Sequence, residues 1–424
     1  MYRSTVESRL RDEYERDGYV RPAYDDYCFG SVPGTVRSLL SAGGRRTLPG
    51  DVFEGVDTDV ERVVLVLADG YGLDSWQRDR DNHTVLDRVT TRGTVTPLTS
   101  VYPSETAAAI TTLETGDLPC EHGRIGWNVY DPETDRSFLA FRGAVKAGPT
   151  EGLELVEGLE PAEDGRAQAP EFRDGVGYHY AEMAAQGVDC HRLQPFPGET
   201  EGVTQHGYDD LDAFGTRLRE VTESTDAPGY VYAYLPVMDH VSHDHGTDSE
   251  QFQQTIAGVC EELETFVAGL DSAVAGETLL LVTADHGHVN TDPERNVDLS
   301  GRADLLANLR RHGDGTPVTM AGSPRNTHLH LQDGTVDGTR AALSDLDAQV
   351  LTREQVLDSG LFGDRQPSAR FERRCGDLVL THRDLGTWYG DVEPDELELV
   401  GMHGGMHPAE MLVPFAAVRA DRLA

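Results

Sequence analysis

Asp285 and His286 close the segment LLLVTADHGH, so a carboxylate and an imidazole follow directly on an apolar run. Three more fragments carry the same donor types. Asp69 ends VVLVLADG, Asp239 and His243 stand four residues apart in YLPVMDHVSH, and His403 lies in GMHGGMH. A hydroxyl-bearing turn, PSET at 103–106, precedes a run of small residues. Together these supply three Asp, three His and one Thr, enough to hold two divalent cations around one phosphate. Mixed carboxylate and imidazole donors suit Zn2+, with Mn2+ the second option. Each fragment alone has a plainer reading. An Asp at a strand end is a common helix cap. The His-rich stretch after Asp239, with His240 and His245, reads equally as a solvated loop. Ser104 and Thr106 read as caps, and His288 as a second-layer or surface residue. The combination shifts the reading towards metal. A hydroxyl near the start of a helix also meets free N–H groups that favour phosphate, and a metal contact would lower its pKa.

Such donors need a frame that brings them together. The run VERVVLVLADG at 60–70 is continuous and β-branched, as expected for a parallel strand buried on both faces. YVYAYLPVMD at 230–239 and ETLLLVTADHG at 277–287 read the same way. Between them DSEQFQQTIAGVCEELETFVAGLDSA has helical periodicity, with Phe252, Ile256, Val259, Leu263 and Val267 on related faces. Strand, helix and strand at this spacing make a βαβ crossover. All three strands end in carboxylates, and ligands gather at the carboxyl ends of strands in open α/β sheets. Residues 1–24 read as a terminal helix within an N-terminal extension, 1–59, ahead of a catalytic domain at 60–424. Within that domain 129–229 reads as an insertion, with a surface segment EGLELVEGLEPAEDGRAQAPEFRDG. Residues 296–395 read as a smaller α/β lobe.

Acidic residues number 74 against 36 basic ones, a formal charge of −38, and Lys146 is the single lysine. This resembles the proteome style of salt-in halophiles, in which molar salt shrinks the Debye length to about 3 Å and carboxylate repulsion is tolerated. Duplex nucleic acid is excluded as a partner, because no basic stripe is present. A small phosphorylated substrate held by metals stays compatible. The five cysteines are scattered and never in CxxC spacing, so neither a disulfide framework nor a thiolate zinc site is expected. The charged N-terminus lacks a signal-like apolar region and no stretch reaches 18 apolar residues, so the reading is a cytoplasmic protein without a membrane span. The oligomeric state is not legible.

The ordered set ADG, PSET with its small-residue helix ending TGDLPCEHG, DHVSH, TADHG and HGG resembles the alkaline phosphatase superfamily. It is most similar to the type I phosphodiesterase/nucleotide pyrophosphatase branch, from about Val63 to Pro414, and GSPRNTH and RRCGDLVL look like its microbial members. The resemblance implies an α/β three-layer sandwich with a mostly parallel sheet. It implies one metal on Asp239, His243 and His403, and another on Asp69, Asp285 and His286 together with the nucleophile. That nucleophile would be Thr106, which would attack phosphorus in line and form a phospho-threonine. The chain also departs from the family. The family's Asn that donates to a phosphate oxygen aligns with Trp127, and Asn128 comes next. The family's base-stacking Phe after the nucleophile is Ala107. Asn128 and Arg325 are the candidate substrate-binding residues, with a structural ion pair as the alternative for Arg325.

Rival chemistries are weighed on the same residues. A sulfatase needs Cys or Ser in C/S-x-P-x-R, and Cys120 sits in PCEHG. A mutase-like enzyme would use Ser104. A phosphomonoesterase shares the metal core, and a non-catalytic metal-binding protein would keep the ligands without turnover.

Overall fold

A computed structural model describes residues 1–149 and 176–423. The segment at 151–175, expected as a surface insertion, lies outside them.

The large sheet has seven strands: β1 (Arg62–Ala68), β2 (Thr94–Thr99), β3 (Asp189–Leu193), β4 (Thr204–His206), β5 (Gly229–Leu235), β6 (Thr278–Thr283) and β7 (Leu412–Arg419). Their spatial order is β2-β7-β6-β1-β5-β3-β4. Pairing of β1 with β5 and β6 is parallel, and so are the pairs β5–β3 and β3–β4. Only β7 runs against the rest, antiparallel to both β6 and β2. Strands β5, β6 and β7 are almost wholly buried, as their unbroken apolar runs require. The architecture is the expected α/β sandwich.

Three helices position or brace the donor residues. Helix α1 (Thr106–Thr115) is buried along its whole length. Its alanines and threonines allow that close packing, and it ends at Gly116, whose φ of +76° suits the left-handed cap. Helix α2 (Val237–His245) follows β5. Helix α3 (Glu250–Gly269) is the expected crossover. Ser249 caps it through Phe252 N–H, and Phe252, Ile256, Val259, Leu263 and Val267 are all buried.

A second sheet of seven strands is antiparallel throughout. Its order is 348–352, 378–382, 326–329, 322–323, 128–131, 136–139 and 145–147. The smaller lobe is therefore built from two chain segments, one before and one after β6. Residues 129–229 are not one insertion: 128–147 enter the lobe, whereas 189–206 supply β3 and β4 to the large sheet.

The N-terminal helix stops at Tyr14 rather than continuing to 24. Asp17 (φ +55°) and Gly18 (φ +80°) turn the chain into a two-residue hairpin between Glu15–Arg16 and Tyr19–Val20. Val6, Leu10, Tyr19 and Val20 join the main core, so this segment packs with the residues of the large sheet.

Candidate active site

Strand β1 ends at Ala68 and Asp69 is the next residue, so its carboxylate lies at the carboxyl edge of the sheet. Asp285 follows shortly after neighbouring β6, which ends at Thr283. Asp239 departs from expectation. Strand β5 ends at Leu235, and Asp239 occupies the first turn of α2. Pro236 stops the strand there, because it has no N–H to give a ladder and its backbone is already in the helical region. Asp239 and His243 are then one helical turn apart and face the same way.

Two donor clusters result. In one, Asp239 Oδ1 lies 3.4 Å from His243 Nε2, 3.1 Å from His288 Nε2 and 3.3 Å from His403 Nε2. In the other, His286 Nε2 lies 3.3 Å from Asp69 Oδ1, 3.5 Å from Asp285 Oδ2 and 3.0 Å from Thr106 Oγ1. The His286 and His403 rings stack at 3.7 Å between the clusters, so the two centres adjoin. Asp69 Oδ1, Asp239 Oδ1, Asp285 Oδ2 and His288 Nε2 are buried without a hydrogen-bond partner. Buried carboxylate oxygens left without donors are costly, and a divalent cation in each cluster would satisfy all four atoms. The donors fit a metal in number, type and spacing.

Electrostatics of the donor set point the same way. Burial, then repulsion from Asp285 and Asp239, pushes the Asp69 carboxyl well above its ordinary range. Burial also opposes ionisation of Asp239, but the neighbouring imidazoles outweigh it and hold Asp239 well below that range. His403 is pushed down by burial and by the facing His286. These mutual perturbations follow from crowding buried carboxylates and imidazoles together, as functional sites do.

Thr106 is the first residue of α1, and Glu105, not Ser104 or Thr106, occupies the N-cap. The Ser104 hydroxyl turns away and donates to Gly405 O at 2.8 Å. Thr106 Oγ1 faces His286. Every candidate ligand named from sequence is therefore brought together, and His288 joins them as a buried residue rather than a surface one. Gly70 makes room for it: a Cβ there would sit 2.4 Å from His288 Cε1.

The substrate-side expectations fare differently. Arg325 is fully buried and does not line the cavity. Its guanidinium pairs with Glu410 and donates to the carbonyls of Arg383 and Leu385. Asn128 is buried within the second sheet and also misses the cavity, whereas Trp127 lines it. Sequence reading missed Tyr234, which donates to Asp69 Oδ2, and Glu105, Phe141 and Glu396, all lining the same cavity. Burial raises Glu105 to about 8 and Glu396 to about 7. A signal existed for Glu105, which precedes Thr106, and none for Phe141 or Glu396, which reach the cavity from distant loops.

Among the described residues no helix is long and apolar enough to cross a membrane. All five cysteines are unpaired and buried.

The family model of type I phosphodiesterase / nucleotide pyrophosphatase matches residues 63–406. No curated protein matches the sequence. Murine ectonucleotide pyrophosphatase / phosphodiesterase 5, as an inactive variant in complex with AMP, superposes with a TM-score of 0.62 at 18% identity, covering 84% of this chain and 88% of that one. The human counterpart gives 0.62 at 16% over the same shares. Phosphonoacetate hydrolase from Sinorhizobium meliloti, in complex with phosphonoformate, gives 0.56 at 16%, covering 88% and 95%. At these identities the likeness is one of fold.

Proposed function

The chain belongs to the type I phosphodiesterase / nucleotide pyrophosphatase family and is a metal-dependent phosphoesterase, and from that premise we propose that it hydrolyses phosphodiesters through Thr106. The observation that carries this is the 3.0 Å approach of Thr106 Oγ1 to His286 within a cluster of unpartnered carboxylates, at the start of a buried helix. Asp69, Asp285 and His286 would hold one divalent ion beside Thr106. Asp239, His243 and His403 would hold the other, with His288 against Asp239. Bound there, two ions supply charge for the phosphate oxygens and acidify the attacking hydroxyl.

In the first step Thr106 Oγ forms a bond to phosphorus as the P–O bond to one ester alcohol breaks, and that alcohol leaves. The second step forms a bond from water oxygen to phosphorus and breaks the Thr106 Oγ–P bond, releasing a monoester. The positive end of α1 orients the phosphate at Thr106. Tyr234 fixes Asp69 through its hydroxyl. The murine relative was made inactive by exchanging a threonine for alanine, and this supports a threonine in the same role here.

Zn2+ fits the imidazole-rich cluster best, and Mn2+ suits the carboxylate-rich one. The acidic surface makes molar salt the proper assay medium. In such salt, with Zn2+ or Mn2+, the protein is expected to hydrolyse bis-p-nitrophenyl phosphate faster than p-nitrophenyl phosphate, because Arg325 is committed elsewhere and no other arginine lines the cavity among the described residues. The reverse preference would make it a phosphomonoesterase. Metal binding with turnover of neither would make it a binding protein.

A further inference from the structure

A second cavity, of about 300 Å3, lies at the far end of helix α1. The helix begins at Thr106 beside the donor clusters, and its last residue, Thr115, lines this cavity with Gly116. At about 1.5 Å per residue, the helix separates the two places by about 15 Å. Their walls are opposite in character. The cavity beside Thr106 has no Lys or Arg among the described residues that line it, whereas Arg37, Arg45 and Arg46 line this one.

Backbone contact brings the three arginines together. Arg37 lies on the helix Val32–Leu39, and Arg45 and Arg46 on the loop that follows it. A Cβ on Gly34 would sit 1.7 Å from Arg46 O, and one on Gly44 2.2 Å from Gly34 O, so loop and helix touch main chain to main chain. Thr35 Oγ1 also accepts from Leu48 N–H at 2.8 Å and fixes the loop's exit.

Their guanidinium groups are only partly used. Arg46 donates to Tyr24 O and to Asp364. Arg37 pairs with Glu182 at 2.9 Å, yet its Nε is buried without a hydrogen-bond partner. Arg45 is exposed and forms no hydrogen bond or ion pair among the described residues. Leaving a buried charged donor unpaired is costly, so an acceptor on a ligand is its natural complement. The first turn of Val32–Leu39 adds to the same field: Pro33 and Gly34 line the cavity, and Ser31 supplies no side-chain cap. Two carboxylates line the cavity as well. Glu182 is already paired with Arg37, and Arg45 draws down an Asp117 carboxyl that burial and Glu121 push up. A spherical monoanion would answer the charge but not the fork of donors, which suits an oxyanion with several acceptor oxygens.

We infer that Arg37, Arg45 and Arg46 form a binding site for a dianionic phosphate group, free or as a small monoester, separate from the metal donors. The site does not depend on the phosphodiesterase reading.

The test is equilibrium binding of inorganic phosphate, and of methylphosphonate as a stable stand-in for a monoester, to the metal-loaded full chain at one KCl concentration. Phosphate held by the metals appears in every isotherm, so comparison of variants reads the second site. The wild type is expected to hold one more phosphate per chain than a variant carrying both Arg37→Gln and Arg45→Gln. Each single substitution is expected to weaken the extra site at least ~10-fold. Arg45 is exposed, so its replacement keeps the test open even where Arg37→Gln, which also frees Glu182, disturbs folding. Tighter binding of inorganic phosphate assigns the site to the free ion, and tighter binding of methylphosphonate assigns it to monoesters. Isotherms that coincide for the wild type and the Arg45 variant, with both ligands, would overturn the inference whatever the chain hydrolyses.

Discussion

The inner and outer walls of the cavity are built by different rules. The inner wall comes from the carboxyl edge of the large sheet: Asp69 after β1 and Asp239 after β5 line it, and Asp285 and His286 after β6 cluster with Asp69. Parallel pairing of three adjacent strands fixes these positions, and little else could place three carboxylates so close. The outer wall comes from loops and the second sheet: Trp127, Phe141, Ser323 and Glu396. Its residues are set by antiparallel hairpins and connections that tolerate exchange. Reaction chemistry is thus tied to the scaffold, and substrate choice is free to vary against it.

The sharpest way to break this contrast is Thr106→Ala. Turnover is expected to fall at least ~1000-fold, as when an activated nucleophile is removed, while Ser104→Ala, which loses only a hydrogen bond to Gly405 O, keeps most of it. Full activity in the Thr106 variant would detach the chemistry from the inner wall.

Next in size is the joint between the walls. Arg325 projects from the second sheet's tight turn onto Glu410, and Glu410 also accepts from the backbone N–H of Gly405 and His407. This buried pair ties the loop that carries His403 to the lobe. Breaking one partner of a buried ion pair costs about 3–5 kcal/mol, so Arg325→Met should lower the unfolding midpoint and weaken metal retention together. Burial opposes ionisation of Glu410, but Arg325 outweighs it and holds the carboxyl below its ordinary range. A depressed carboxyl stabilises the fold above its unfolded pKa of about 4.3 and loses that contribution as pH falls through the folded value. The wild type should therefore lose stability on acidification below about pH 4, and the part due to this pair should vanish in the variant. An unchanged acid limb in a urea titration would count against the pair.

The smallest effect separates the two donor clusters. The cluster of Asp239, His243, His288 and His403 is richer in imidazole than that of Asp69, Asp285 and His286. Imidazole-rich sites favour Zn2+ over Mn2+ more strongly, so graded chelation should remove the metals in two steps. Metal content per chain, followed by elemental analysis, checks this, and simultaneous loss would make the clusters equivalent.

The contrast also accounts for how much the sequence alone reveals. Asp69, Asp285 and His286 are legible because apolar strands announce where a sheet ends. Asp239 is legible as a candidate donor but not on its proper element, since Pro236 outweighs the apolar run that continues past it. Trp127 is visible as a departure, yet which of Trp127 and Asn128 faces the substrate depends on where the strand at 128–131 begins. Phe141 and Glu396 carry no local pattern, because their meeting is a property of tertiary packing alone. The lobe is recognisable only in its second half, since a sheet assembled from two distant segments leaves no periodic trace linking them.

Strand β7 has a further consequence, for how the site depends on the sheet. It is the one strand that joins β2 to the rest of the large sheet, and it follows His403 in the chain. Among the described residues no other strand of the large sheet pairs with β2, and His403 in the preceding loop completes the cluster of Asp239, His243 and His288. Closure of the sheet and completion of that cluster thus both depend on the one stretch that runs from His403 through β7.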